Sequence, residues 1–322
     1  KALAWGRWEG FDVAALRFLG TEGERAPQIE RYELIAEIAS GGMASVYLAR
    51  TRGMGGFQRF FAIKRMHPHL GSEEGFVQMF LDEARLVAQI RHQHVVPVLE
   101  VGASDKGYYL VMEYVEGATL GSFLSAAVHH GKKIPPNVVV RIMLDTLAGL
   151  HAAHELRDAA GAAVNLVHRD VSPQNILIDT NGVSRISDFG VAHANSRLGS
   201  TRVGQLKGKV AYMAPEQARG DAVDARADVF AAGVVLWEAL CGKRLFLGEN
   251  EASTLNRLMF EEIPKLRRGN PTMPGSLEKI RMRSAINTAS SMLWETTSNP
   301  FIGVLPLSHR SSMSLRSVSP VS

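Results

Sequence analysis

The stretch that decides this chain is His168-Arg169-Asp170-Val171-Ser172-Pro173-Gln174-Asn175. It follows a long apolar-periodic segment, residues 137–156, and runs into the apolar residues 176–178. A helix, a polar loop and a short strand in that order put side chains at the rim of a site. An aspartate and an asparagine five residues apart on such a loop can aim a proton acceptor and an oxygen ligand into one place. About thirteen residues later comes Asp188-Phe189-Gly190, a second oxygen ligand followed by a flexible glycine. Ala214-Pro215-Glu216 then opens a helical stretch that leads to Asp228. Each piece alone is an ordinary loop, and the weight lies in the ordered set.

Outward from this stretch the chain changes texture. Upstream, residues 32–38 and 45–49 read as strands around Ala39-Ser40-Gly41-Gly42-Met43-Ala44, and residues 60–64 as a third strand. Residues 75–91 read as a helix, with strands at 95–101 and 108–114. After Gly117 the pattern is mostly helical, at 119–128, 137–156, 225–241 and 250–260, with short strands at 176–179 and 184–187. Strands first and helices afterwards predict an α+β fold of two lobes, with a cleft where residues 113–117 join them.

Two features of the first lobe bear on chemistry. In the helix 75–91, Phe76, Phe80, Glu83, Val87 and Ile90 follow one another at steps of 4, 3, 4 and 3 and share one face. Four are apolar, so a carboxylate sits within a buried face and needs a partner. Lys64 ends the apolar strand Phe61-Ala62-Ile63 and is the nearest upstream cation of that kind. From the pattern alone Glu83 either pairs or reaches water at the helix edge. The glycine turn at 41–42 either offers backbone N–H groups to a phosphate or is a plain hairpin. His67, His69, His92, His94, His129, His130, His151 and His154 share no metal-ligand spacing and read as structural or solvated.

Composition sets the outer bounds. With 322 residues, 46 % hydrophobic, 21 % charged and a net charge of +4, the chain reads as globular. The basic excess lies late, at Lys279, Arg281, Arg283, Arg310 and Arg316, so no nucleic-acid groove is expected. A single cysteine, Cys241, suits a reducing compartment, and a cytoplasmic location is expected. No apolar run approaches the roughly 18–20 residues of a membrane span, and the acids and tryptophans near the start do not make a signal peptide.

The motif set resembles the eukaryotic-like protein kinases, in particular bacterial serine/threonine kinases, over about residues 31–268. That resemblance implies a two-lobed fold, an N-terminal antiparallel sheet with one helix (31–115) and a mostly helical C-terminal lobe (116–268). Residues 1–30 read as an N-terminal extension and 269–322 as a serine-rich tail. The resemblance implies ATP and Mg2+ as cofactors and protein Ser/Thr hydroxyls as acceptors. Lys64 matches the phosphate-holding lysine, Glu83 its helix partner and Asp170 the catalytic base. Asn175 and Asp188 match the magnesium ligands. Ile38, Ala39, Ser40, Gly41 and Gly42 fall on the phosphate-covering loop. Met112 matches the gatekeeper, Glu113 and Val115 the adenine-binding hinge, and Val46, Ala62 and Leu177 the apolar walls. Pro173 matches the serine/threonine form of the loop. Arg169 matches an arginine that docks a phosphorylated activation segment, with Ser200 or Thr201 as the expected acceptors.

Three departures stand out. Two of the three loop glycines are Ala39 and Ala44 here, which costs about 1–2 kcal/mol wherever φ must be positive. The lysine the family carries two residues after the base is Ser172, and the threonine it carries before Ala-Pro-Glu is Lys209, as though cation and hydroxyl had exchanged places. After Arg268 the family's pattern fades, which leaves Glu216 without its usual arginine and predicts a C-terminal lobe incomplete at its end. A frameshifted or truncated, inactive kinase fragment and a nucleotide-binding pseudokinase scaffold are the alternatives. A small-molecule phosphotransferase fits less well, because it needs no Ala-Pro-Glu platform.

Overall fold

The computed structural model describes residues 17–19, 27–105, 107–189 and 209–270. The first lobe is built on long strands. β1 (Arg17–Phe18) and β2 (Gln28–Ile29) are two-residue pieces, both paired to β3 (Tyr32–Ser40). β4 (Ala44–Arg52), β5 (Gln58–Met66), β6 (Val98–Ser104) and β7 (Gly107–Glu113) complete an antiparallel sheet in the order β1-β3-β4-β5-β7-β6. Alternation along β3 buries Tyr32, Leu34 and Ala36 and leaves Glu33, Ile35 and Glu37 half-buried on the other face. Tyr109, Leu110, Val111 and Met112 of β7 are all buried, so both faces of this strand are covered. One face is closed by helix α1 (Glu74–Val87), whose Phe80 and Ala84 pack on Met66 and Leu110.

The helix ends at Val87, four residues short of the reading from periodicity, and the next strand starts at Val98, not 95. Pro97 has no N–H to give a ladder and precedes that start. Residues 94–96 bond the other lobe instead: Val96 N–H donates to Ile186 O (2.9 Å) and Ile186 N–H to His94 O (2.9 Å).

The second lobe begins with β8 (Gly117–Thr119), which pairs with β9 (Ile176–Asp179), itself paired to β10 (Ser184–Ile186). Gly117 is required here, since a Cβ would lie 2.0 Å from the Ile178 carbonyl oxygen. Helices α2 (Leu120–His129), α3 (Pro136–His154), α4 (Pro215–Arg219), α5 (Ala225–Cys241), α6 (Glu251–Phe260) and α7 (Leu266–Gly269) form the rest. The apolar residues of α5 run all round it, so it lies at the centre, with Trp237, Val235 and Leu240 buried. Asp224 caps its N-terminus by accepting from Arg226 N–H, and Gly242 ends it at φ 71°. Val87 and Ile90 join this lower core, so α1 is seated on both lobes. The serine-rich tail lies outside the described residues apart from residues 269 and 270.

Candidate active site

The first group of site residues comes from β5, α1 and the end of β10. Lys64 Nζ lies 3.0 Å from Glu83 Oε1 and 3.0 Å from Asp188 Oδ1. Glu83 is buried, so of the two sequence readings the paired one holds. Burial opposes the charge on Lys64, but Asp188 and Glu83 outweigh it and hold the ammonium above the usual lysine range. Burial lifts the Glu83 carboxyl above its usual range against the pull of Lys64. Burial also opposes ionisation of Asp188, yet the Lys64 charge prevails and its carboxyl falls below the usual range. Phe189, next to it, is buried with its ring 4.5 Å from that of His168.

The second group is the loop after α3, held from below by one carboxylate. Asp228, 1 % exposed near the start of α5, accepts from the backbone N–H groups of His168 (2.8 Å) and Arg169 (2.8 Å) and from His154 Nε2 (2.7 Å). His168 Nε2 donates to Ser187 O at 3.0 Å, and its Nδ1 accepts from Asp170 N–H at 3.2 Å, which fixes one neutral tautomer. Arg169 and Asp188 sit at φ 66° and 58°. Left-handed backbone at non-glycine residues costs about 1–2 kcal/mol each and persists here because both neighbourhoods are tied down. Asn175 Nδ2 donates to Asp170 O (2.7 Å) and to Asp170 Oδ2 (3.1 Å). Two acceptors on that side fix the amide orientation and turn the Asn175 Oδ1 oxygen away from them. Ser187 N–H bonds Asn175 O at 2.9 Å, which keeps Asn175 and Asp188 together. Asn175 and Asp188 thus supply two oxygens beside one another, which suits a Mg2+ that takes its other ligands from phosphates and water. Among the described residues no three His, Cys, Asp or Glu side chains gather as a metal cluster.

Lys209 is brought to the same loop from far along the chain: its Nζ lies 2.7 Å from Asp170 Oδ2. Ser172 is buried two residues after Asp170. Residues 190–208, with Ser200 and Thr201, lie outside the described residues. Glu216 is half-buried, and among the described residues no cation lies within ion-pair distance of it, although its charge is felt by Arg226.

The apolar site residues also converge. Ala62, Met112 and Val115 form one cluster with Val46 and Leu177 packed against it, below the β3–β4 turn. Behind Met112, between Lys64, Glu83, Val96 and Phe189, only about 10 Å3 remains, room for one water. Ile38 is half-buried, Ala39, Ser40, Gly41 and Gly42 are exposed at the tip, and Glu113 N–H donates to Pro97 O at 3.2 Å. Neither Ala39 nor Ala44 has a positive φ, so the alanines carry none of the expected strain. The turn is held by Gly41 N–H to Ala44 O (2.9 Å), by Ser40 Oγ against Ser45 Oγ (3.0 Å) and by His67 Nε2 against Gly41 O (2.8 Å).

Sequence reasoning passed over Asp228 as an anchor, together with His154, Gln217 and Tyr212. The signal for Asp228 was present: an acid beside the apolar run 229–237. Such an acid needs buried donors.

The two lobes, the Lys64–Glu83 pair between them and the loop carrying Asp170 and Asn175 are the arrangement of a protein kinase domain. The family model described as protein kinase domain matches residues 32–300, and the chain belongs to that family. It is 45 % identical over 253 residues to the tyrosine-protein kinase MasK of Myxococcus xanthus, covering 79 % of this chain and 39 % of that protein. It is 35 % identical over 254 residues to the serine/threonine-protein kinase PrkC of Bacillus subtilis, covering 79 % and 37 %. The chain therefore spans less than half the length of these relatives. The Mycobacterium tuberculosis PknI kinase domain shares the fold, with a TM-score of 0.58 at 23 % identity over 83 % of this chain and 92 % of that one. Among the described residues no helix is long and apolar enough to cross a membrane.

Proposed function

We propose that this chain is an active serine/threonine protein kinase that transfers the γ-phosphoryl group of Mg-ATP to protein hydroxyls. The observation that carries this reading is Lys64, whose ammonium bridges Glu83 and Asp188 at 3.0 Å each. A scaffold that had lost transfer would have no need to keep that charge arrangement beside a loop that still carries Asp170 and Asn175. Phosphoryl transfer asks for positioning and charge neutralisation, with little covalent help. Asp170 accepts the proton of the acceptor hydroxyl. The hydroxyl oxygen forms the new P–O bond as the bond from the γ-phosphorus to the ADP oxygen breaks. Lys64 neutralises phosphate charge, and Asn175 and Asp188 are the residues that would hold a Mg2+, which would supply further charge neutralisation. Residues 38–42, at the end of β3 and in the turn after it, would cover the phosphates, and Val46, Ala62 and Leu177 would flank adenine, with the backbone of Glu113 and Val115 at its edge.

Ser/Thr selectivity is supported by Pro173 and by relatives such as PrkC. The 45 % identical relative named a tyrosine-protein kinase supports the other acceptor. Activation by phosphate on Ser200 or Thr201, docked by Arg169, belongs to the same reading, as does a reducing cytoplasmic location. The test is incubation with labelled Mg-ATP and a basic protein, followed by phosphoamino-acid analysis. Phosphoserine or phosphothreonine is expected, with Lys64→Met and Asp170→Asn each lowering transfer at least about 100-fold. Nucleotide binding without transfer would leave the pseudokinase reading standing, and phosphotyrosine alone would overturn the acceptor assignment.

A further inference from the structure

The base loop carries no cation of its own between Asp170 and Asn175. Lys64 is committed to Glu83 and Asp188 on the far side of the nucleotide site. The cation next to Asp170 is Lys209, 2.7 Å from Oδ2 and half exposed, whereas the Asp170 side chain is only 13 % exposed. The more exposed ammonium therefore rests on one oxygen of the less exposed carboxylate. Asn175 Nδ2 bonds the same Oδ2 at 3.1 Å, and among the described residues nothing donates to Oδ1. One oxygen of the base is thus doubly held and the other is left for the acceptor.

The backbone of Lys209 is set in place by its neighbours. It caps the 3-10 turn Val210–Tyr212, whose three residues are all buried. Tyr212 OH donates to Glu238 Oε2 of α5 at 2.7 Å. Ala214 N–H donates to Gln217 Oε1 at 3.1 Å, and Gln217 Nε2 donates to Arg169 O at 3.0 Å. The stem is anchored on both α5 and the base loop, while the ammonium stays mobile at the end of four carbons. A hydroxyl poised on Asp170 stands about 3–3.5 Å from the phosphorus it attacks. An ammonium on the same carboxylate is then one side-chain swing from the phosphoryl oxygens.

We propose, on the kinase reading above, that Lys209 is a catalytic residue: its ammonium moves from Asp170 to the γ-phosphoryl oxygens as charge develops there. Ser172 supplies the hydroxyl beside it. Because the lysine rides on the turn that ends the segment 190–208, undocking of that turn removes the cation from the site.

The test compares the parent with Lys209→Ala, Lys209→Met and the exchange variant Ser172→Lys with Lys209→Thr. Transfer is measured alongside affinities for ADP and for the non-transferable analogue AMP-PNP. A γ-phosphate contact predicts that both Lys209 variants lose about 10- to 100-fold in transfer. It also predicts that they weaken AMP-PNP binding by about tenfold while ADP binding holds. The exchange variant is expected to exceed the product of its two single changes, because both positions act around Asp170 and one change restores the cation that the other removes. An unchanged AMP-PNP to ADP affinity ratio overturns the proposal even if transfer falls, since Lys209 would then act on Asp170 alone. Parent-level transfer in Lys209→Ala also overturns it. Lys64→Met separates the two levels: if that variant keeps full transfer, the kinase site itself is misassigned. If it loses transfer while Lys209→Ala does not, only the role of Lys209 falls.

Discussion

Removing the Asp228 side chain tests whether one buried carboxylate holds the base loop. Its two oxygens accept three hydrogen bonds, from His168 N–H, Arg169 N–H and His154 Nε2, at 2.7–2.8 Å, and the residue is 1 % exposed. Hydrogen bonds to a charged group are each worth about 1.5–3 kcal/mol net. They share one acceptor group, so the three losses do not add fully. Asp228→Ala leaves buried donors without acceptors, and a water entering the small space left behind restores part of the loss. The balance is about 3–5 kcal/mol, the range found when one partner of a buried charged network is deleted. In a domain of this size each kcal/mol shifts the Tm by about 2–4 °C, so a drop of roughly 10 °C is expected. Urea unfolding followed by the fluorescence of Trp237, buried on the same helix, reads the change directly. Asp228→Asn keeps the shape but turns an N–H2 toward a donor, and it is expected to fall between parent and alanine variant. A loss below about 1 kcal/mol for Asp228→Ala would refute the argument. It would mean that the left-handed Arg169 backbone and its loop are held by something else.

Two further outcomes follow from particular contacts. Gly149 lies within α3, where helix propensity favours alanine by about 1 kcal/mol, yet an added Cβ would sit 2.4 Å from the His94 carbonyl oxygen. Gly149→Ala is therefore expected to destabilise by about 1–3 kcal/mol, and a calorimetric Tm at or above the parent's would show that this contact yields freely. Hydrogen bonds from Arg50, then Arg52, hold the Glu33 carboxyl down at about 2, from an ordinary 4.5. A depressed carboxyl stabilises above its unfolded pKa and loses that contribution as pH falls through its folded one. Glu33→Gln should cost about 1 kcal/mol at pH 7, limited by solvent screening, with the gap closing from about pH 4.5 towards 2. A gap that stays constant over that window in denaturant titrations would refute the pairing.

Local pattern was enough for most of the elements. The bounds of α5 and β9 read correctly from apolar runs and their flanking turns, because each is set locally: Asp224 and Gly242, immediately beside α5, cap its two ends. The strand near 95 misread for a reason of the same kind, since Val95 and Val96 are apolar enough for a ladder but belong to a connection that bonds β10. The order and spacing of Lys64, Glu83, Asp170, Asn175 and Asp188 carried the resemblance to a kinase without any coordinates. What periodicity left open at Glu83, pairing or water, was decided only when β5 and α1 packed and brought Lys64 within 3.0 Å. The expected strain at Ala39 and Ala44 disappeared because the observed hairpin keeps both at ordinary φ. Lys209 meets Asp170 across 39 positions of sequence, and Asp228 reaches His168 across 60. No local propensity encodes such distances. They are fixed by burial of Tyr212 against α5 and by the need of two buried backbone N–H groups for an acceptor. Sequence named the residue types that chemistry requires, and packing chose which of them touch.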